Sequence, residues 1–198
     1  MIERIAAFVS ERIAASNHNN DDKEIYNYGL QIMLNTLFSI CAVLLLGAVL
    51  HELSGTVLFL LSYCSVRLFA GGLHASTNNK CMTIFIGGYV VTYLILRNLS
   101  VHLDFVIISF LIILNLLILL WAPVDALNNP ISQANRKIMK KRALLNSILI
   151  SSLIFFLLYN GYAAGKWGFA GLVWICLIMV TGKFNNILLL NRGTYRHE

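Results

Sequence analysis

Long runs of apolar residues alternate with short polar segments along most of the chain. A helix needs about 20 apolar residues to cross a bilayer, with a range of about 17–25. Six runs approach this length, so the pattern predicts an all-α polytopic protein with about six transmembrane or membrane-embedded helices. They lie near residues 30–50, 53–70, 82–97, 103–121, 143–160 and 167–188. The second contains Arg67 near its end and the third is short, so either is expected to be tilted, re-entrant or sheltered by neighbouring helices.

The N-terminal region, residues 1–29, is amphipathic rather than uniformly apolar. Ile2, Ile5, Val9 and Ile13 recur at helical spacing, while the charged residues lie elsewhere. This spacing predicts a helix that lies in the membrane interface. Because no continuous apolar core of a cleavable signal peptide is visible, the first span is expected to act as its own insertion signal.

The composition agrees with a membrane protein. The chain is 58% hydrophobic and 12% charged, whereas a soluble domain carries about 25% charged and 45–50% apolar residues. No Pro/Gly/Ser-rich linker divides the sequence, so residues 1–198 are expected to form a single membrane-embedded domain. A net charge of +6 would indicate nucleic acid in a soluble protein. Here we assign it to cytoplasmic loops and expect no nucleic-acid partner.

The basic residues predict the orientation in the membrane. With six spans and both termini in the cytoplasm, only Arg97 and Lys166 of the 15 Lys and Arg residues fall outside. The polar segment 67–81 and the basic loop 122–142 are then both cytoplasmic. The loop carries five closely spaced cations, Arg136, Lys137, Lys140, Lys141 and Arg142.

The segment 67–81, RLFAGGLHASTNNKC, places a histidine and a cysteine close together. His74 and Cys81 would be separated by about 10.5 Å of rise along one helix, but a nucleophile and its base must approach within about 2.6–3.2 Å. Residues 76–79, Ser-Thr-Asn-Asn, favour a turn or a helix cap between them. Cys81 is therefore expected in the first turn of the next helix, where the helix dipole and Lys80 favour a thiolate.

Arg67, Gly71 and Gly72 precede this pair. The Gly-Gly pair permits backbone angles or close approaches that other residues do not. Arg67 would cost about 2.5–3.5 kcal/mol at bilayer depth, so it should be paired or interfacial. It has two open interpretations, one as a group that stabilises an oxyanion or a substrate carboxylate and one as a structural anchor.

Simpler interpretations of the pair remain open as well. A lone membrane cysteine more often packs, and a lone histidine near an interface is more often a hydrogen-bonded structural group. Cys41, Cys64 and Cys176 lie in apolar runs, as small core hydrophobes do, and the cysteine spacing predicts no disulfide framework. The histidines are scattered without HExxH or paired Cys/His spacing, so neither a metal nor another cofactor is expected.

The motif from Arg67 to Cys81 nevertheless resembles the signature of the accessory gene regulator protein B family, AgrB. These are bacterial membrane cysteine endopeptidases that process the precursors of quorum-sensing autoinducing peptides. A second patch, Ala122-Pro123-Val124-Asp125 with Pro130 and the Lys/Arg cluster, resembles the family's central loop. Chain length and the number of apolar runs match as well, so the resemblance covers nearly the whole chain.

The resemblance implies the chemistry of the site. Cys81 is the nucleophile, His74 is the general base, and Arg67, Gly71 and Gly72 support them. The acyl-enzyme is a thioester that a substrate thiol or hydroxyl opens to give a thiolactone or lactone. The third catalytic residue stays open among three candidates, Asn78, Asn79 and Asp125.

The resemblance also implies the partners, a small amphipathic AgrD-like precursor peptide with an acidic C-terminal part, the lipid bilayer of the bacterial cell membrane, and a second copy in a homodimer. The basic cluster would suit the acidic part, or would serve equally as a topology signal that touches anionic lipid. The competing function is a non-enzymatic membrane protein, either a transporter or an assembly factor. A transporter should show internal repeats or buried charged relay residues, whereas the apolar runs contain amides but almost no acids.

Overall fold

The computed structural model describes residues 6–12, 23–72, 78–98, 104–125 and 131–191. Within these ranges the chain is almost entirely helical, and its one β-type contact is an isolated bridge. Helix α1 covers residues 6–12. The others are α2 (Lys23–Val49), α3 (Leu53–Ala70), α4 (Asn78–Asn98), α5 (Asp104–Trp121), α6 (Gln133–Tyr159) and α7 (Ala164–Asn191). The predicted all-α polytopic fold is confirmed.

Five of these helices contain a segment long and apolar enough to cross a membrane. The segments are Gly29–Val49, Leu53–Ala70, Lys80–Asn98, Gln133–Tyr159 and Ala164–Leu189. The described apolar part of α5, Val106–Trp121, is shorter. Its 18-residue helix rises about 27 Å, slightly less than the roughly 30 Å of hydrocarbon in a bilayer.

The two predicted polar loops, 67–81 and 122–142, are partly helical in the structure. The segment 67–81 contains the last turn of α3 and the first turn of α4, and α6 begins at Gln133 inside the predicted loop 122–142. Lys, Arg and Gln are strong helix formers, so the helix continues through the basic cluster beyond the apolar run. Ser132 caps it by accepting a hydrogen bond from the backbone N–H of Asn135 at 3.4 Å.

The chain divides into two compact units, which are described separately. The first comprises Met1–Leu46 and Ala75–Tyr89, and the second comprises Gly47–His74 and Val90–Glu198. A single membrane-embedded domain therefore stays a prediction.

In the first unit, several polar side chains of α2 donate to groups of their own helix. Asn35 donates to the carbonyl of Gln31 at 2.9 Å, and Ser39 donates to the carbonyl of Asn35 at 2.7 Å. Large apolar side chains such as Met33 and Phe38 are exposed. Lipid offers no hydrogen-bond partners, so polar groups of a membrane helix must bond within the protein while apolar side chains face outward.

In the second unit, α3 packs against α7 and α6, while α5 packs against α6 and α7. Glycines let α3 and α7 approach closely. A side chain at Gly168 would press into Leu58, and one at Gly171 would meet the Phe59 carbonyl. Small residues at such contacts are typical of membrane helix pairs, where van der Waals packing stabilises association.

Amide and hydroxyl side chains connect the helices of the second unit. Asn115 of α5 donates to Ser151 of α6 at 2.8 Å and accepts from Ser147 at 2.7 Å. Asn146 donates to the Ser65 carbonyl of α3 at 3.3 Å. Such bonds contribute about 0.6–2 kcal/mol each in membrane bundles. They connect the middle of α6 to α5 and to the C-terminal part of α3, where the predicted site begins.

Candidate functional site

Cys81 lies in the first turn of α4, which begins at Asn78. This placement was predicted from the turn-forming residues before it. The thiol is exposed, as is the neighbouring Lys80. His74 lies outside the described residues, so its pairing with Cys81 stays a prediction.

The end of α3 has a backbone conformation that requires glycine. Gly71 has φ 67° and ψ −145°, and Gly72 has φ 131°. Residues with a side chain adopt these regions only under strain. The guanidinium of Arg67 folds back and donates to the Gly71 carbonyl. It also occupies the space that a Cβ at Gly72 would need. As a structural anchor, Arg67 therefore has an identified hydrogen-bond partner. Its side chain binds the Gly71 carbonyl at the C-terminal end of its own helix.

The glycine pair is joined to the second sequence patch by a short parallel bridge between Gly71 and Val124. The backbone N–H of Val124 donates to the Ala70 carbonyl at 2.9 Å, and the N–H of Gly72 donates to the Val124 carbonyl at 3.3 Å. The two patches are more than 50 residues apart in sequence but adjacent in the second unit. The connections after α3 and after α5 thus lie at the same end of this bundle.

Replacing Gly71 by alanine is expected to destabilise the protein. The new Cβ would overlap the Val124 carbonyl oxygen, and the backbone strain alone costs on the order of 1–3 kcal/mol. Thermal unfolding of the detergent-solubilised protein measures this loss. Gly87→Ala in α4 is the matched control, because its Cβ meets no atom within 4 Å and alanine favours a helix by up to about 1 kcal/mol. Equal unfolding temperatures for the two variants would contradict a structural role for the bridge.

A cavity of about 390 Å³ lies beside the bridge. Asp125 forms its polar centre: the carboxylate pairs with Arg136 at 3.4 Å, and the backbone carbonyl accepts from Asn186 of α7 at 2.8 Å. The ammonium of Lys183 lies 4.8 Å from the centre of the Trp121 ring. The lining residues are Leu120, Trp121, Ala122, Pro123, Val124, Asp125, Arg136, Lys137, Lys140, Lys183 and Asn186.

The cavity divides the predicted basic cluster. Arg136, Lys137 and Lys140 line it, whereas Lys141 does not and is exposed. Arg142 instead lies 5.8 Å from the ring centre of Phe69, in the last turn of α3. Three of the five cations therefore line the cavity, and Arg142 lies beside the end of α3.

Lys183 and Asn186 are two polar residues of this cavity that the sequence does not predict as site residues. Lys183 and Asn186 are three residues apart and therefore lie on one face of α7. This spacing is the sequence feature from which their proximity could have been predicted.

Of the predicted orienting residues, only Asp125 has a described side chain. One of its carboxylate oxygens is buried and has no hydrogen-bond partner among the described residues. Within the same ranges, no three His, Cys, Asp or Glu side chains form a group that could hold a metal ion.

Comparison with known proteins identifies the family of this chain. The family model Accessory gene regulator B matches residues 2–181. An AgrB-like protein of Clostridium perfringens strain 13 is 30% identical over 214 residues, which cover 100% of this chain and 99% of that protein. A second, from strain SM101, is 28% identical with the same coverage. An AgrB-like protein of Listeria innocua is 30% identical over 73% of this chain and 74% of its own length. No solved structure matches. The chain belongs to the accessory gene regulator B (AgrB) family.

Proposed function

We propose that this protein is a membrane-embedded cysteine endopeptidase of the bacterial cell membrane. It removes the C-terminal part of a small quorum-sensing pro-peptide and closes the remaining part into a ring. The observation that carries this proposal is the exposed Cys81 thiol in the first turn of α4, the residue that the motif resemblance assigns as the nucleophile. The thiolate is the reactive form of a cysteine nucleophile.

The first half-reaction forms the acyl-enzyme. His74 accepts the proton of the Cys81 thiol, and the sulfur attacks the carbonyl carbon of the scissile peptide bond. When the carbon–nitrogen bond breaks, His74 returns the proton to the leaving amine. The C-terminal fragment departs, and the N-terminal part of the substrate is held as a thioester on Cys81.

The second half-reaction closes the ring. A thiol or hydroxyl of the bound fragment attacks the thioester carbonyl, and the bond to the Cys81 sulfur breaks. The proton of the attacking group passes to His74 and then to the released sulfur, so the enzyme is restored and no water is consumed. Water must be kept from the thioester, because hydrolysis would release a linear peptide. A site at the membrane surface meets that requirement.

Supporting roles fall to the residues at the end of α3. Arg67 holds the carbonyl of Gly71, and the bridge to Val124 fixes the backbone two residues before His74. Arg142 offers positive charge beside this end of α3, and Lys141 precedes it at an exposed position of α6. We assign them the attraction of an acidic C-terminal part of the substrate, since complementary charge speeds association.

Co-expression with the candidate AgrD-like precursor, followed by mass spectrometry, tests the function. The wild-type protein should yield a cyclic peptide lighter by one water molecule than the corresponding linear fragment. Cys81→Ala should yield neither form. Cys41→Ala is the matched control, because Cys41 is also an exposed thiol but lies in the apolar part of α2. Cleavage by a Cys81→Ala protein would refute the assigned nucleophile.

A further inference from the structure

The cavity beside the bridge is strongly cationic. Four basic side chains line it, against the single carboxylate of Asp125. Arg136 is committed to that carboxylate at 3.4 Å. Lys137, Lys140 and Lys183 remain as cations beyond this pair on the cavity wall. The surplus of positive charge favours a ligand that carries negative charge.

The helix lengths place the cavity at the membrane boundary. Trp121 is the last residue of the apolar helix α5. Lys183 lies 19 residues after the first residue of α7, which is about 29 Å of helical rise, close to the roughly 30 Å of hydrocarbon. Tryptophan and lysine are the residues that anchor helices at the headgroup level.

One wall of the cavity continues into exposed apolar surface. Leu120 lines the cavity and is 68% exposed, and Leu116 is 51% exposed one turn earlier on the same face of α5. On α7, Phe184 is 57% exposed and meets the ring of Trp121 edge-on at 6.4 Å between centroids. A ligand that fills the cavity therefore has apolar helix surface directly beside its anionic group.

We propose that this cavity binds the phosphate headgroup of an anionic phospholipid, with the acyl chains lying on the exposed surfaces of α5 and α7. Lys137, Lys140 and Lys183 contact the phosphate, and Trp121 flanks it. A free anion or an acidic peptide would match the lysines but leave the adjoining apolar wall unmatched. Basic pockets between membrane helices are suited to such headgroups. The proposal is independent of the peptidase chemistry.

Occupancy of the site has a structural consequence. The cavity wall includes the segment from Ala122 to Asp125, and Val124 of this segment is bonded to Ala70 and Gly72. A bound headgroup holds this wall against α6 and α7. Anionic lipid should therefore raise the thermal stability of the wild-type protein, and of Cys81→Ala equally, since Cys81 is not part of the cavity.

Competition binding in detergent tests the proposal, with fluorescent phosphatidylglycerol as the probe and phosphatidylcholine as the neutral lipid. The wild-type protein should prefer phosphatidylglycerol. Each lysine near the surface contributes about fivefold in affinity, so Lys140→Gln with Lys183→Gln should weaken binding by about 25-fold. Lys140→Arg with Lys183→Arg should retain it. Lys137→Gln, at an exposed position on the wall, provides a variant with little effect on folding and should lose about fivefold.

The matched control removes the same charge elsewhere. Lys141→Gln with Lys166→Gln changes two lysines that do not line the cavity, so phosphatidylglycerol binding should be nearly unchanged. An equal loss of phosphatidylglycerol affinity in both double variants would show that the lipid is attracted by diffuse surface charge and not by this cavity. Inorganic phosphate that competes as well as the lipid, or an acidic peptide that binds the cavity lysines when phosphatidylglycerol does not, would also overturn the lipid assignment.

Discussion

Replacing Cys81 by serine or His74 by alanine is expected to abolish precursor cleavage while leaving membrane insertion intact. Serine is a far weaker nucleophile than a thiolate, and loss of a general base typically costs about 100-fold to 10,000-fold in rate. Because the two residues act as one unit, the double variant should be little worse than either single variant. Initial rates of precursor cleavage in membranes measure all three variants.

A second measurement separates activation of the thiol from structural damage. In a protein whose other cysteines are replaced by alanine, alkylation of Cys81 should slow when His74 is removed, because the thiolate is the form that reacts. His51→Asn is the control histidine variant. His51 is exposed and has φ 57°, a conformation that asparagine tolerates. Normal cleavage by His74→Ala would refute His74 as the general base. An unchanged alkylation rate would show that His74 does not activate the Cys81 thiol.

The helices were predictable because lipid imposes a simple requirement on sequence. Apolar runs of the right length identify α2 to α7, and the turn-forming residues before Cys81 locate the start of α4. The run lengths indicate only the apolar part of each helix. They missed the first three turns of α6, which contain the basic cluster and extend from Gln133.

The bridge between Gly71 and Val124 could not be predicted in the same way. The glycine pair signals unusual backbone, but its partner depends on how α3 and α5 end in three dimensions. The sequence alone was equally consistent with Arg67 as a group that binds substrate and as a structural anchor, because the position of its guanidinium depends on the end of α3. In the structure the guanidinium reaches the Gly71 carbonyl, four residues later.

Lys183 can serve both as a topology signal and as a residue of the cavity, and the sequence does not distinguish these two roles. Lys183 lies near the end of an apolar run, where a lysine is ordinarily a topology signal. Its contact with Trp121 at 4.8 Å depends on the packing of α7 beside α5. Conversely, the five closely spaced cations of α6 resemble one surface in sequence. The helical turn places Lys140 on the cavity wall and leaves Lys141 outside the cavity and exposed.

Cys81 and the cationic cavity are expected to share the cytoplasmic face of the membrane. At the bridge between Gly71 and Val124, the N–H of Gly72 donates to the Val124 carbonyl. The six residues from Gly72 to Asn78 reach at most about 20 Å, which is less than the roughly 30 Å of hydrocarbon. The excess of basic residues predicts that this common face is the cytoplasmic one. A membrane-impermeant maleimide should therefore label single-cysteine Cys81 in inverted vesicles and not in intact cells.

Two introduced cysteines in a cysteine-free protein calibrate this experiment. Lys137→Cys, on the cavity wall, should show the same inside labelling as Cys81. Tyr162→Cys should react in intact cells, because Tyr162 is 59% exposed in the turn between α6 and α7, which is predicted to lie outside. Labelling of Cys81 and Lys137→Cys from opposite sides would contradict the bridge. Labelling of both from outside would reverse the orientation, and a peptidase that meets its newly made precursor in the cytoplasm could then not work as proposed.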